Sequence, residues 1–259
     1  MHKLPASLLT AGLLATSVAA QAQAPAAAPA APESPHTFAA KLSLYSEYEF
    51  RGISQTSEKP ALQLNLDYSH SSGIYAGAFL TNIEWLKDTA ESLGGHTRGG
   101  TELDLFIGWK KELAPDITLD VGYLRYQYPR SEDFFTNPKV NTDELWIGLG
   151  WKFISAKYSY TVSDAFGFFD SKGSQFLELN VAYPITEKIT ITGQVAKAEF
   201  ENNSAFDYTV YKLGATYDFG DGWLAGAYYK DTDAEASAYT VLGKNWAKGR
   251  TVAFVSKTF

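Results

Sequence analysis

Among its 259 residues the sequence has no cysteine and a single methionine. Without cysteine there is no disulfide framework and no cysteine-linked lipid anchor. Beyond the N-terminal leader there is no apolar run of the roughly 20 residues that a membrane helix needs, and no stripe of period 3.6 that would mark an amphipathic helix. Basic clusters are also missing. The formal charge is −7, and it becomes one unit more negative once Lys3 is removed with the leader, which makes nucleic acid a poor partner. Histidine is scarce, with only His36, His70 and His96 beyond the leader. His70 stands among Ser69, Ser71 and Ser72, but neighbours in sequence do not make a nucleophile, base and orienting group that converge in space. An enzyme is therefore not expected. The stretch GGHTRGG (94–100) reads as a flexible loop, and Asp231, Asp233 and Glu235 read as a solvated acidic loop without the pattern of a calcium loop. No metal and no cofactor are expected.

The chain starts like an address. Lys3 supplies a basic start, Leu8 to Ala15 a short apolar stretch, and Ala20-Gln21-Ala22 a small-x-small cleavage site, so residues 1–22 read as a secretory signal peptide. Residues 23–36, rich in proline and alanine, read as a disordered linker with nothing to bury. The remainder, 37–259, is strand-rich in character. Aromatic residues make up 15% of the sequence and there are 21 glycines, a composition that suits pleated surfaces and turns.

Period two dominates this remainder. Phe38, Ala40, Leu42, Leu44, Tyr48 and Phe50 fall on one face while Ser43, Glu47 and Glu49 fall on the other; Leu145, Ile147, Leu149, Trp151 and Phe153 repeat the pattern further on. Segments 74–85, 117–128 and 223–230 carry apolar residues at both parities, so their faces stay unassigned. Twelve strands result, ending in TVAFVSKTF. Their connections alternate without exception. Links at 71–73, 114–116, 184–187 and 220–222, and near Ile154 and Ser155, are tight turns; those at 51–60, 86–100, 129–141, 164–174, 200–206 and 231–247 are long.

An even strand count, alternating connection lengths and one apolar face define the expected fold. It is an all-β, closed antiparallel transmembrane β-barrel of twelve strands, with short periplasmic turns, longer extracellular loops and outer-membrane lipid around it. Closure satisfies every backbone donor and acceptor, which hydrocarbon cannot do. Trp109, Trp151, Phe153, Tyr183 and Phe219 are placed for a periplasmic aromatic girdle, and Tyr48, Phe50 and Trp85 for an outer one. Phe259 ends the last strand as the aromatic that the barrel-assembly machinery reads. Lys257 takes an apolar parity and is expected to snorkel to the interface.

With the amino terminus periplasmic, the polar parity places Glu47, Glu49, Glu102, Asp104 and Glu144 toward the outside. Lys41, Lys110, Lys152, Lys157 and Lys188 fall toward the periplasm, Glu178 and Lys212 nearer the middle, and Asp67 breaks the trend. Pore-lining candidates are Glu47, Glu49, Arg51, Glu102, Asp104, Glu144, Lys152, Lys157, Glu178 and Lys212. An acidic outer half and a basic inner half would disfavour anions. Gly52 suits a sharp turn at φ > 0. Arg51 is placed to reach back to Glu47 or Glu49, either as a clamp on the rim or as part of a constriction where loop 51–60 enters the mouth.

The residues Tyr48-x-Phe50-Arg51-Gly52-Ile53-Ser54-Gln55-Thr56, followed by Pro60-Ala61-x-Gln63, Asp67-Tyr68-x-His70-x-Ser72-Gly73-x-Tyr75-x-Gly77 and Asn82, resemble the start of the TorF family of porins. Gly122-Tyr123-x-x-Tyr126-x-Tyr128-Pro129 and the tail Ser256-Lys257-Thr258-Phe259 resemble its middle and end. The resemblance implies an outer-membrane channel. Together with the lumen reading, the expected function is passive diffusion of small hydrophilic solutes; the alternative is a plugged structural or surface-recognition barrel that does not conduct.

Overall fold

The computed structural model describes residues 34–259. The leader expected over 1–22 and most of the linker expected over 23–36 lie outside these described residues. Twelve strands form one closed barrel: β1 His36–Tyr45, β2 Ala61–His70, β3 Ile74–Asn82, β4 Thr101–Ala114, β5 Ile117–Gln127 and β6 Thr142–Trp151, then β7 Ile154–Thr161, β8 Gln175–Pro184, β9 Ile189–Glu199, β10 Tyr208–Gly220, β11 Trp223–Thr232 and β12 Arg250–Thr258. Every strand pairs antiparallel with its neighbours in sequence, and β1 meets β12 through pairs such as Leu44↔Val255 and Leu42↔Lys257 to close the ring. Closure leaves no unpaired edge. Among the described residues no helix is long and apolar enough to cross a membrane.

The alternation sorts side chains as hydrocarbon outside and a filled interior require. Leu44, Leu66, Ile107, Ile147, Leu179 and Leu213 point outward and are exposed, whereas Ser43, Asn65, Phe106, Trp146, Ser159 and Gln194 point inward and are buried. The outward apolar surface has no protein partner. In water, burial of such surface is worth about 25 cal/mol per Å², so hydrocarbon must cover it. At the end that carries the short turns, Phe38, Trp151, Tyr183, Phe219 and Trp223 project outward as a girdle. Lys257 lies opposite Trp223 in register, and its ammonium donates to the backbone carbonyl of Asp221 in the adjoining turn, which is the snorkelling its parity required.

Strands with ambiguous parity gain their faces here. Tyr75, Phe79, Leu124, Tyr126, Leu224 and Tyr228 point inward, while Ile74, Leu80, Ile117 and Tyr229 point outward. Both faces are apolar because the lumen on this side is itself packed with rings. Tyr45, Phe79, Phe106, Tyr126, Trp146 and Phe254 belong to one buried cluster inside the barrel. Glycines make room for it: a Cβ on Gly122 would lie 2.1 Å from the Trp146 ring, and one on Gly77 would lie 2.3 Å from the Phe106 ring.

Three expectations change. β1 ends at Tyr45 rather than Phe50, so the first long loop runs 46–60. The alternation continues because Glu49–Phe50 and Ile53–Ser54 form a small extended ribbon, but that ribbon has left the barrel wall. Tyr48, Phe50 and Trp85 turn inward rather than join an outer girdle; the strand expected over 74–85 ends at Asn82, and Trp85 opens the short helix α1, Trp85–Ser92, in the second long loop. Outward aromatics near the loop end are Tyr160, Tyr211 and Tyr229.

A segment folded into the lumen

Arg51 and Gly52 form the bend of the small ribbon, with φ of 50° and 86°. Two successive left-handed residues are what a tight hairpin with this twist demands, and glycine is the residue that takes the second position without strain. A Cβ there would also lie 2.6 Å from Thr232 Cγ2. The bend carries the hairpin into the barrel mouth, where each of its charged groups meets the wall. The Arg51 guanidinium donates to both carboxylate oxygens of Glu144 on β6, at 2.7 and 2.9 Å. Glu49 pairs with Lys212 on β10 at 2.7 Å, and Glu47 with Arg250 on β12 at 3.4 Å. Tyr48 donates to Glu102 on β4 at 2.7 Å, and Lys230 on β11 donates to the Gly52 carbonyl at 2.8 Å. The segment is thus tied to five strands spread around the barrel.

Of the expected pore-lining residues, the structure gathers Glu47, Glu49, Arg51, Glu102, Asp104, Glu144 and Lys212 at or beside this plug. Lys157 and Glu178 also point inward and face each other in register across β7 and β8. Lys152 does not line the lumen: it sits exposed in the turn after β6, with its ammonium 5.3 Å from the Trp151 ring centre. The partner of Arg51 is Glu144 rather than Glu47 or Glu49, which are committed to Arg250 and Lys212. Glu102, Asp104 and Glu144 are at most 2% exposed, so water does not reach them as it would in a wide pore. Glu47, Glu49 and Glu144 are each offset by a cation, whereas Glu102 and Asp104 have no ion pair among the described residues.

Sequence reasoning missed Tyr48, Tyr126, Lys230 and Arg250. Tyr126 donates to Glu144 at 3.0 Å, and Lys230 also donates to the Trp246 carbonyl at 3.2 Å, joining the plug to the last long loop. Register with β10 would have found Lys230: it lies opposite Lys212, an inward position. Above the plug, loops 83–100 and 128–141 are clasped by Arg98 donating to Asp133 at 2.7 Å, a contact that holds the Asp133 carboxyl below the usual range. His70 ends β2 beside a short turn, bonded to Ser72 at 2.8 Å.

A closed twelve-strand antiparallel barrel with an apolar outer belt, an aromatic girdle and a charged, loop-filled interior has the fold of β-barrels of the outer-membrane porin type. The solved KdgM porin matches with a TM-score of 0.52 and 6% identity over 85% of this chain and 98% of its own. The NanC porin matches with a TM-score of 0.51 and 12% identity over 86% and 99%. A second KdgM structure, in complex with disordered oligogalacturonate, has a TM-score of 0.52 and 7% identity over 86% and 97%. At these identities the likeness is one of fold. No curated protein matches the chain by sequence. The chain itself belongs to Gcw_chp, described as a bacterial protein of unknown function, whose family model matches residues 29–259.

Proposed function

We propose that this protein is an outer-membrane channel held shut by its segment 46–60, and that small solutes pass when that segment yields. The observation that carries the reading is the way the plug is fixed. The segment is held by ion pairs and hydrogen bonds to the wall and to the neighbouring long loops, contacts that can break and re-form. The porin fold and the resemblance of residues 48–56 to the TorF family support the channel part of the reading. In the same reading, residues 1–22 export the chain, the long loops face outward, and Phe259 presents the end of β12 to the assembly machinery.

An acidic oligosaccharide of the kind seen with KdgM is not carried over to this chain. Recognition of carboxylates calls on arginine and lysine, and here Arg51, Lys212 and Arg250 are already paired with glutamates. The simple preference against anions is weakened near the mouth, since Glu47, Glu49 and Glu144 are paired with cations, and it rests there on Glu102 and Asp104.

Planar-bilayer recordings of the purified protein test the reading. Wild type is expected to give rare, small conductance steps, and the double variant Glu49→Gln with Glu144→Gln is expected to give steps at least tenfold more often. A steadily open wild type would overturn the shut plug. Silence from both proteins would overturn the channel and leave a structural or surface-recognition barrel.

A further inference from the structure

Above the plug lies a cavity of about 530 Å³, and all six long loops contribute to its lining. Twelve aromatic rings border it, among them Phe50 and Phe176 at the floor and Phe166, Phe206, Tyr239 and Trp246 in the walls. Loop cores of natural proteins pack to about the density of organic crystals and leave few voids larger than a water molecule. A cavity of this size, bordered mainly by rings, is space kept for something else. An apolar cavity of about 150 Å³ suffices for benzene, so this one has room for two fused rings.

The chemistry of the lining narrows the occupant. The one cation at the floor, Arg51, has its charge answered by Glu144, and its guanidinium carbon lies over two rings, 4.3 Å from the centre of Phe176 and 4.8 Å from that of Phe50. The floor is therefore neutral overall and offers flat surfaces. The indole N–H groups of Trp85 and Trp246 are covered by protein, so these two residues present ring surface to the cavity rather than a donor. A sugar of the same volume would strand most of its hydroxyls against the rings.

We infer that the cavity is a binding site for a small, uncharged aromatic molecule of one or two rings. The inference deepens the channel reading by naming the solute class, and it rests on that reading only for the step of passage; binding stands by itself.

The full-length protein in lipid nanodiscs is titrated with 1-naphthol, naphthalene and glucose, followed by calorimetry and tryptophan fluorescence, with empty nanodiscs as the partition control. Saturable binding of 1-naphthol at one site per chain is expected, with none for glucose. Naphthalene, which has no polar group, is expected to bind at the same site. Ala238→Trp, which fills the cavity from its wall, is expected to abolish both, with far-ultraviolet circular dichroism confirming the folded barrel. No saturable binding beyond the empty discs, or unchanged binding to the filled variant, overturns the inference. Binding without any conductance leaves it standing and overturns the channel, whereas conductance without binding does the reverse.

Discussion

Arg51 meets Glu144 across 93 positions of sequence, with both guanidinium NH2 groups bonded to the two carboxylate oxygens of one side chain. The arginine belongs to a hairpin inside the lumen and the glutamate to the wall, so this one contact joins the plug to the barrel. Both side chains are buried, and removal of one partner leaves an unanswered charge in a dry place. For pairs of this kind the loss is about 3–5 kcal/mol, whereas replacing both by apolar groups of similar volume is often neutral. Glu144→Met is thus expected to lower stability by about that amount in urea titrations of protein folded in lipid vesicles, and Arg51→Met with Glu144→Met to recover most of it. A double variant as unstable as the single one would show that the pair does more than balance charge.

Lys230 holds the plug from the opposite side. It is fully buried, and its ammonium serves two carbonyls, that of Gly52 in the hairpin and that of Trp246 in the last long loop. Lys230→Met leaves the Gly52 carbonyl facing an apolar chain, at about 1–3 kcal/mol for a buried group left unpaired, while the Trp246 carbonyl keeps the Ser54 amide as a donor at 3.0 Å. The barrel ladder does not pass through either carbonyl, so the loss should stay local. Hydrogen exchange is expected to rise in 46–60 and 233–249 while the β2–β5 amides stay protected. Uniform loss of protection would refute a local tie.

Trp146 lies over Gly122 of the neighbouring strand, close enough that a Cβ there would fall 2.1 Å from the indole. Gly148, on the same strand as Trp146, has 3.5 Å of clearance to its nearest neighbour. Gly122→Ala is expected to cost about 1–3 kcal/mol by overpacking and to shift the Trp146 emission, while Gly148→Ala stays close to wild type. Equal stability of the two variants would mean that the ring does not occupy the interior position described here.

The glycines also show where sequence reasoning reaches and where it stops. Twelve strands and alternating connections were legible because lipid on one side and a polar or packed interior on the other impose period two, and Leu145, Ile147 and Leu149 obey it plainly. Strands β3, β5 and β11 did not reveal their faces, since Tyr75, Leu124 and Tyr228 make the inner face as apolar as the outer. The fate of 46–60 was hidden for a different reason. An extended hairpin keeps the same alternation as a wall strand, so Tyr48 and Phe50 read as a continuation of Leu42 and Leu44. Gly52 announced the bend, but the partner of Arg51 lies on a strand four places further round the barrel, beyond the reach of local pattern. Helix α1 spans only eight residues with Leu86 and Ala90 buried, too short for a periodic signal.

Ile147 and Leu242 provide the most direct test of what surrounds the barrel, since both are half exposed, at 49% and 48%. Ile147 points outward near the middle of β6, within the apolar belt, and Leu242 sits at the bend of the small Thr240–Val241 and Lys244–Asn245 ribbon in the last long loop. If water bathed both, arginine at either place would change stability by no more than about 0.5 kcal/mol, as surface substitutions commonly do. With hydrocarbon around the belt, arginine near the bilayer midplane costs about 2–4 kcal/mol, and the cost fades toward the interfaces. Urea titration in lipid vesicles is therefore expected to find Ile147→Arg destabilised by about 2–4 kcal/mol and Leu242→Arg almost unchanged. Matching effects at the two positions would mean that the outer belt is not lipid-covered, and the channel reading would fall with it.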